Sequence, residues 1–494
     1  MSVEVTPIRL IMFSSEDCVY CPPIEMIVRE VVGSGMQEMV HVSTIDVDDD
    51  PEAKKQYNVM ALPTLVINDE IVLEGGMDDD SVREILWSTL LNQAVSSEEA
   101  VSQTKKSLLS FTMNIMDSLN GTRVIRPSVG DYTHIGDFQL NLLSLYSLDP
   151  LIPHLLYKAG YQLGLYGVIH HSLTLLHPKI GKTAKPNLKF KHLAYSLQLF
   201  FSDREILPTL LAKSAVITEL TPTKITILIE ELASASLRIN VGENMCDFIA
   251  GQLAGVTEAV MGVKAGCREL TCLANNSDYC TFEIGIGEDA IERLLPPLEN
   301  KDERAARRQN FYEVIHETTE IISDSLLMRK ILRSNIGDFM HISVFQPIII
   351  SLKLLDKFSS SILYSGGREL GVFGPGKPLL YKLVKEKGVD VPLNLSEGVE
   401  LLYEYLSHPT YHLGRNHGLV RLHRNNDNYM LEVEENSSIS GMGVANMNKT
   451  FCDFQAGFFA GRLHILIGKD PTVKEIECQG MGSKNCKFLI KVNE

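Results

Sequence analysis

Hydrophobic and polar positions follow two regimes along this chain. Up to residue 94 the apolar runs are short and separated by polar turns. Ile8 to Phe13 reads as a strand, Ile24 to Val32 as a helix stopped by Gly33 and Gly35, Val40 to Val47 as a second strand, and Pro51 to Tyr57 as a short helix with proline at a favoured early position. Leu65 to Ile67, a turn at Asn68-Asp69 and Ile71 to Leu73 form a hairpin, and a helix from Asp78 to about Leu91 ends the segment. Beyond it the apolar periodicity lengthens. Ser96 to Asn120 is polar with a late apolar side, Leu108, Phe111, Ile115 and Leu119, as in a connecting amphipathic helix, and Gly121 to Gly130 reads as a linker. Glu288 to Arg308 carries both charge signs and two prolines, which marks a solvated boundary, and Phe311 to Leu332 reads as a second amphipathic helix.

The segment Met245 to Met261, with Ile249, Leu253, Val256 and Val260 on one side and Gly262 after it, is a helix with a cysteine at its start. The same pattern returns later. Cys246-Asp247-Phe248, Glu269, Cys272 and Cys280-Thr281-Phe282 are matched by Cys452-Asp453-Phe454, Glu475, Cys478 and Cys486-Lys487-Phe488, each 206 residues further on. Six of the nine cysteines belong to this repeat. Three sulfurs and one carboxylate suit a tetrahedral zinc ion, with the first thiolate favoured by the helix dipole. Cys272 and Cys280 flank Asn275-Asn276-Ser277-Asp278, and Cys478 and Cys486 flank Gly480-Met481-Gly482-Ser483, as in β-hairpins. Glu269 and Cys272 are three apart, so a regular strand would point them to opposite faces and a bulge between them is required. Buried inert thiols, or a disulfide between Cys272 and Cys280 in oxidising surroundings, are the competing readings.

Two family resemblances rest on these residues. Gly136-Asp137-Phe138, the Tyr157-Lys158-Ala159-Gly160 to Gly164 run, the Cys-Asp-Phe helix with Gly251 and Gly255, and the terminal cysteine hairpin resemble a 4-vinyl-reductase-type (4VR) domain. The second copy resembles it through Gly337-Asp338-Phe339, Tyr364-Ser365-Gly366-Gly367 to Gly371, Gly457 and Gly461. That family includes a bacteriochlorophyll-biosynthesis protein and the sensor domains of phenol-responsive transcription activators, and it implies zinc on Cys246, Glu269, Cys272 and Cys280, and on Cys452, Glu475, Cys478 and Cys486, beside a small-molecule pocket. The first unit resembles thioredoxin and glutaredoxin proteins: Cys18-Val19-Tyr20-Cys21 stands at a strand-to-helix junction, and Leu62-Pro63-Thr64 stands where the family carries a cis-proline. That likeness implies Cys18 as attacking thiol, Cys21 as resolving thiol and Pro63 setting the backbone against an incoming peptide.

The expected fold is multidomain α/β and α+β: a thioredoxin-like domain over 1–94, a helical linker over 95–130, a first 4VR-type domain over 131–287, a charged boundary and lead-in helix over 288–332, and a second 4VR-type domain over 333–494. Pairing of the two units within one chain, or in a homodimer, accords with the family. A formal charge of −16 argues against a nucleic-acid surface. The longest apolar stretches, such as Val344 to Leu352, are too short to span a bilayer, and Pro7 and Arg9 stand where a secretory apolar core would run, so the expected compartment is cytoplasmic. No Gly-rich nucleotide fingerprint follows a strand. The histidines His170, His171, His177, His192, His408, His412, His417 and His423 keep no common spacing between the copies and read as loop or half-buried residues.

The resulting expectation is a redox-linked protein that binds or senses a small hydrophobic molecule, with two zinc ions and an exchange partner protein for its CxxC. The alternatives are a thiol-disulfide oxidoreductase whose 4VR-type units select substrates, and a tetrapyrrole vinyl reductase or its assembly factor.

Overall fold

The computed structural model describes residues 8–33, 40–77, 81–82, 85–86, 89, 118, 121, 124–126, 130–167, 173, 179, 185–202, 209–236, 240–291, 301–327, 329–355, 359–374, 376–409, 420–425, 428–433 and 450–492. It separates into two compact units, one built mainly on residues 1–101 and the other on most of 102–494.

In the first unit, β1 (Ile8–Ser14), α1 (Cys21–Gly33), β2 (Val40–Asp46), α2 (Pro51–Gln56), β3 (Thr64–Ile67) and β4 (Glu70–Glu74) follow the apolar runs to within a residue or three. The sheet order is β2-β1-β3-β4, with β1 and β2 parallel and the remaining pairs antiparallel. Alternate residues of β1 feed two cores: Leu10 and Met12 pack with Ile24, Ile27 and Val28 of α1, while Ile11 and Phe13 pack with Val47, Val59 and Val66. Asp50 caps α2 by accepting from the Ala53 N–H at 3.0 Å. Most of the helix expected from Asp78 to Leu91 lies outside the described residues.

The second unit holds two halves with corresponding elements. The first runs through β5 (Tyr132–His134), α3 (Ile135–Tyr146), α4 (Ile152–Tyr166), α5 (Pro186–Ser202), β6 (Ser214–Leu220), β7 (Lys224–Glu230), α6 (Asp247–Met261), β8 (Ala265–Thr271) and β9 (Cys280–Ile286). Helix α7 (Lys301–Leu326) leads to the second, with β10 (Phe339–His341), α8 (Gln346–Leu355), α9 (Ser359–Phe373), α10 (Lys377–Lys387), α11 (Leu395–Ser407), β11 (Val420–Asn425), β12 (Asn428–Val433), α12 (Asp453–Ile467), β13 (Pro471–Glu477) and β14 (Cys486–Val492). Each half has a four-stranded antiparallel sheet of the same connectivity, β6-β7-β9-β8 and β11-β12-β14-β13.

In each half the cysteine-bearing helix crosses a neighbour at backbone contact. A Cβ on Gly160 or Gly251 would lie 2.0 Å from Phe248 O and 1.9 Å from Tyr157 O, and one on Gly367 or Gly457 would lie 1.9 Å from Phe454 O and 1.9 Å from Tyr364 O. Those glycines are there because nothing larger fits between the helices.

Helix α7 begins at Lys301, inside the stretch expected to be a solvated boundary, and ends at Leu326 rather than Leu332. Its early turns are held: the Arg307 side chain, 9% exposed, pairs with Glu243 through Nε at 3.1 Å and Nη2 at 2.9 Å, and Asn310 donates to Val241 O at 3.2 Å. Charge there marks a docked helix face.

The two halves meet through β5 and β10, an antiparallel pair with register Phe339↔His134, Met340↔Thr133 and His341↔Tyr132. Thr133 and Met340 lie 207 residues apart in sequence and face each other, so the pairing is symmetric about them. The motif that builds it is Arg126-Pro127-Ser128-Val129-Gly130-Asp131-Tyr132-Thr133-His134, repeated as Arg333-Ser334-Asn335-Ile336-Gly337-Asp338-Phe339-Met340-His341. The counterpart of Gly337-Asp338-Phe339 is therefore Gly130-Asp131-Tyr132, and the sequence-based matching to Gly136-Asp137-Phe138 is corrected. Those three residues instead open α3, after the His134 cap. The linker expected over Gly121 to Gly130 is corrected too: Ile125 is 2% and Arg126 0% exposed.

Candidate functional sites

In the first unit, β1 ends at Ser14 and the chain turns into α1 with Cys18 and Cys21 joined as a disulfide. The Leu62-Pro63 peptide is cis. Gly75 N–H donates to Pro63 O at 2.9 Å, a Cβ on Gly76 would meet the Tyr20 ring at 2.8 Å, and Glu74 Oε1 accepts from the N–H groups of Met60 at 2.5 Å and Ala61 at 3.1 Å. Strand β4 thereby sets the proline loop and the residues between the two cysteines side by side. Val19, Tyr20 and Met60 are 81%, 61% and 78% exposed, an apolar surface around the disulfide.

In the second unit, Cys246, Glu269, Cys272 and Cys280 bring one ligand atom each to within 4.8 Å of the others, as do Cys452, Glu475, Cys478 and Cys486. The first cysteine of each set is the residue before α6 or α12, so it stands at a helix N-terminus. The other cysteines come from hairpins β8–β9 and β13–β14, and the carboxylates reach the site through the bulge that the spacing requires. Glu269 pairs with Phe282 and Thr271 with Thr281, leaving Leu270 out of register, and Ile476 is displaced in the same way between Glu475 and Glu477. Within the first set the sulfurs lie 3.8, 3.8 and 4.0 Å apart, and Cys452 and Cys486 lie 3.6 Å apart.

Each carboxylate uses one oxygen structurally: Glu269 Oε2 accepts from Cys246 N–H at 3.0 Å, and Glu475 Oε2 from Cys452 N–H at 2.9 Å. The other oxygen, Oε1 in both, is buried with no hydrogen-bond partner apart from the thiols around it. Burial, then the neighbouring thiols, pushes Glu269 and Glu475 well above the usual carboxylate range. Burial likewise pushes the Cys246 thiol up, so helix position alone does not favour its thiolate, while the hydrogen bond from Cys246 draws Cys280 down to about 6. Four acidic groups in one dry pocket resist ionising together, and a divalent cation is what removes that resistance. Both groups could hold a metal ion.

The residues beside the first set are packed. A cavity of about 10 Å³ bounded by Gln139, Leu143, Ser234, Val241, Met245 and Ala274 has room for about one water. Asp247 accepts from Tyr146 Oη at 2.6 Å, whereas Asp453 forms an ion pair with Lys353.

Two further clusters carry no recognisable spacing signal. Asp131 accepts from Ile125 N–H at 2.8 Å, Arg126 N–H at 2.7 Å and Ser118 Oγ at 2.6 Å, and Ser118 Oγ lies 2.9 Å from His341 Nε2 of the other half. Asp338 accepts from Arg333 N–H at 2.8 Å and Ser325 Oγ at 2.5 Å, and Ser325 Oγ lies 2.8 Å from His134 Nε2. Each His Nδ1 accepts a backbone N–H, from Gly136 at 3.0 Å or Ser343 at 3.1 Å, so Nε2 carries the proton and donates to serine. Comparing the two halves at a spacing of 207 rather than 206 would have exposed both clusters. Of the histidines noted in sequence, His423 pairs with Glu432 at 3.0 Å, and His170, His171, His177, His412 and His417 lie outside the described residues.

Comparison with known proteins finds a thioredoxin domain at residues 8–87 and a 4-vinyl-reductase-type (4VR) domain at residues 431–492. The first span contains Cys18, Cys21 and Pro63; the second contains Cys452, Glu475, Cys478 and Cys486. A thioredoxin of Methanocaldococcus jannaschii is 29% identical over 86 residues, 17% of this chain and 100% of that protein. An uncharacterized protein of the same organism is 22% identical over 182 residues, 37% of this chain and 93% of its own length. Among solved structures, the phenol-responsive sensory domain of the transcription activator PoxR with phenol is similar at 14% identity and a TM-score of 0.24, covering 36% of this chain and 81% of that one.

Proposed function

We propose that this chain, which joins a thioredoxin domain to a 4VR domain, is a redox-linked small-molecule-binding or sensing protein with two zinc centres. The observation that supports this most directly is the pair of buried oxygens, Glu269 Oε1 and Glu475 Oε1, each left facing three thiols while its twin is fixed to a backbone N–H. A carboxylate placed so at both centres is poised as a fourth ligand. We read residues 131–287 as a second domain of the 4VR type, since its sheet connectivity, bulge and ligand order match those of 333–494.

Cys246, Glu269, Cys272 and Cys280 would hold one zinc ion, and Cys452, Glu475, Cys478 and Cys486 the other. Bound zinc would neutralise the thiolates and fasten each hairpin to its helix N-terminus. The chain's own residues do the rest: the glycine crossings hold each cysteine-bearing helix against its neighbour, and the bulges aim the carboxylates. The small hydrophobic ligand would enter beside the centre only if Leu143, Val241 and Met245 part, since the cavity there is closed to anything larger than a water. In the first unit Cys18 would attack a partner's disulfide and Cys21 would resolve the mixed disulfide. Free buried thiols in the second unit accord with a reducing compartment such as the cytoplasm.

A second reading, a thiol-disulfide oxidoreductase whose 4VR-type part selects substrates, draws on the exposed apolar residues around Cys18. No observation of the site favours a tetrapyrrole reductase. Metal content per chain on protein purified under reducing conditions tests the main reading. Two zinc ions are expected, falling to one in Cys272→Ala and in Cys478→Ala; an absence of bound metal would overturn it.

A further inference from the structure

Each sulfur of the first centre faces one hydrogen-bond donor, and the donors differ in kind. Cys272 Sγ accepts from Met245 N–H at 3.5 Å, and Cys280 Sγ from Leu273 N–H at 3.5 Å. Both are backbone groups that no substitution removes. Cys246 Sγ has a side chain instead, Ser234 Oγ at 3.1 Å. The Cys246 N–H is already engaged by Glu269 Oε2, so the donor to this sulfur comes from elsewhere in the chain.

Ser234 is 3% exposed and lies in the turn that follows β7. That turn is held from three directions. Gln139 of α3 donates to Ala233 O, Ala233 N–H donates to Leu211 O at 2.8 Å, and Ala235 N–H donates to Leu232 O at 3.1 Å. The serine therefore reaches the sulfur from a backbone fixed independently of the centre.

While Cys246 is a thiol, either atom could supply the hydrogen. Once its sulfur ligates a cation it has none to give, so the hydroxyl must be the donor. A hydrogen bond to a charged acceptor in a dry site is stronger than one between neutral groups. It also withdraws electron density from the sulfur and fixes its orientation, as partners of metal ligands do.

We propose that Ser234 is a positioning residue for the first metal centre, holding Cys246 Sγ and tuning its electron donation to the bound cation. The proposal rests on the metal reading above. In the second half the segment before Cys452 contains Ser437, Ser438 and Ser440, outside the described residues, so the assignment is made for the first centre alone.

Cobalt(II) as probe separates the two ideas. The full chain carrying Cys478→Ala, so that the first centre gives the signal, is loaded with cobalt(II), and its thiolate-to-metal charge-transfer band and dissociation constant are recorded. Ser234→Ala should move the band to lower energy, because a sulfur without its donor gives up electrons more easily, and should weaken binding 10- to 100-fold. Ser234→Thr should restore both. Ser234→Val, of nearly threonine's shape without the hydroxyl, should behave as the alanine variant does, and the threonine–valine comparison stands even if the alanine variant fails to fold. Should Cys478→Ala misfold, the band is taken as the difference between the otherwise unaltered chain and Cys272→Ala. An unchanged band and affinity in Ser234→Val, with cobalt bound, overturns the role of Ser234 and leaves the metal centre standing. A chain that shows no cobalt–thiolate absorption in any form overturns both.

Discussion

Acidification should loosen the joint between the two halves before it protonates most carboxylates. His134 and His341 are buried and hydrogen-bonded in the neutral form, and desolvation draws both down to about 4. The charged groups facing them are Asp338 and Arg333 at His134, and Asp131 and Arg126 at His341; the aspartates oppose the shift and the arginines reinforce it, and burial outweighs both. An unfolded histidine takes its proton near pH 6.5, so the unfolded chain binds protons first as the pH falls. The stability due to the neutral imidazoles is thus complete above about 6.5, declines as the pH falls, and is lost once it passes about 4. Between pH 7 and pH 5 each histidine accounts for about 2 kcal/mol, and the full shift for about 3 kcal/mol. The assay is urea unfolding followed by circular dichroism at both pH values. Thiolate centres also weaken in acid, so the informative quantity is the difference between variants. The natural chain should lose about 4 kcal/mol more than a His134→Gln, His341→Gln double variant, and about 2 kcal/mol more than either single variant. Equal losses in all of them would refute the assignment of buried neutral imidazoles to this joint.

Glu269→Gln should keep the bond to Cys246 N–H through its amide oxygen yet lower retention of metal at the first centre at least 10-fold, as read by zinc release to a chromogenic chelator. Unchanged release would remove Glu269 from the ligand set. If the first unit exchanges disulfides, Cys18→Ser should abolish reduction of insulin by the dithiol-charged chain, while Cys21→Ser should accumulate a mixed disulfide visible by mass spectrometry. Turnover surviving in Cys18→Ser would show that another thiol is responsible.

The chemistry of both sites was legible because it is written in spacing. Ligands of one ion must meet at one point, so their separations are constrained, and even the bulge after Glu269 follows from a three-residue gap on a strand. The pairing of α1 with a cis-proline loop was legible for the same reason. The joint between the halves was not. Its caps are histidines, which cap helices rarely, and its partners are Ser118 with His341 and Ser325 with His134, contacts that no local pattern encodes. The Gly-Asp-Phe identity at 136–138 also drew the eye from Gly130-Asp131-Tyr132, where a tyrosine replaces the phenylalanine and the repeat has slipped by one residue. Ser234 lacked any signal, being one serine in a turn whose position depends on Gln139 and Leu211.

The symmetric pairing of β5 with β10 places two matching surfaces against each other inside a single polypeptide. In a dimer of identical chains every substitution appears on both sides of the axis at once, so a change that suits one side must also be tolerated on the other. Here the tether lets each side vary alone, and the linkage keeps them at high effective concentration even where the contact weakens. The chain has used that freedom: Tyr146 faces Asp247 where Lys353 faces Asp453, and Tyr157 receives the N–H of Cys267 where Tyr364 receives that of Val473. One centre can be tuned to respond while its sister is kept for holding the framework together, a division of labour that a strictly symmetric pair cannot make.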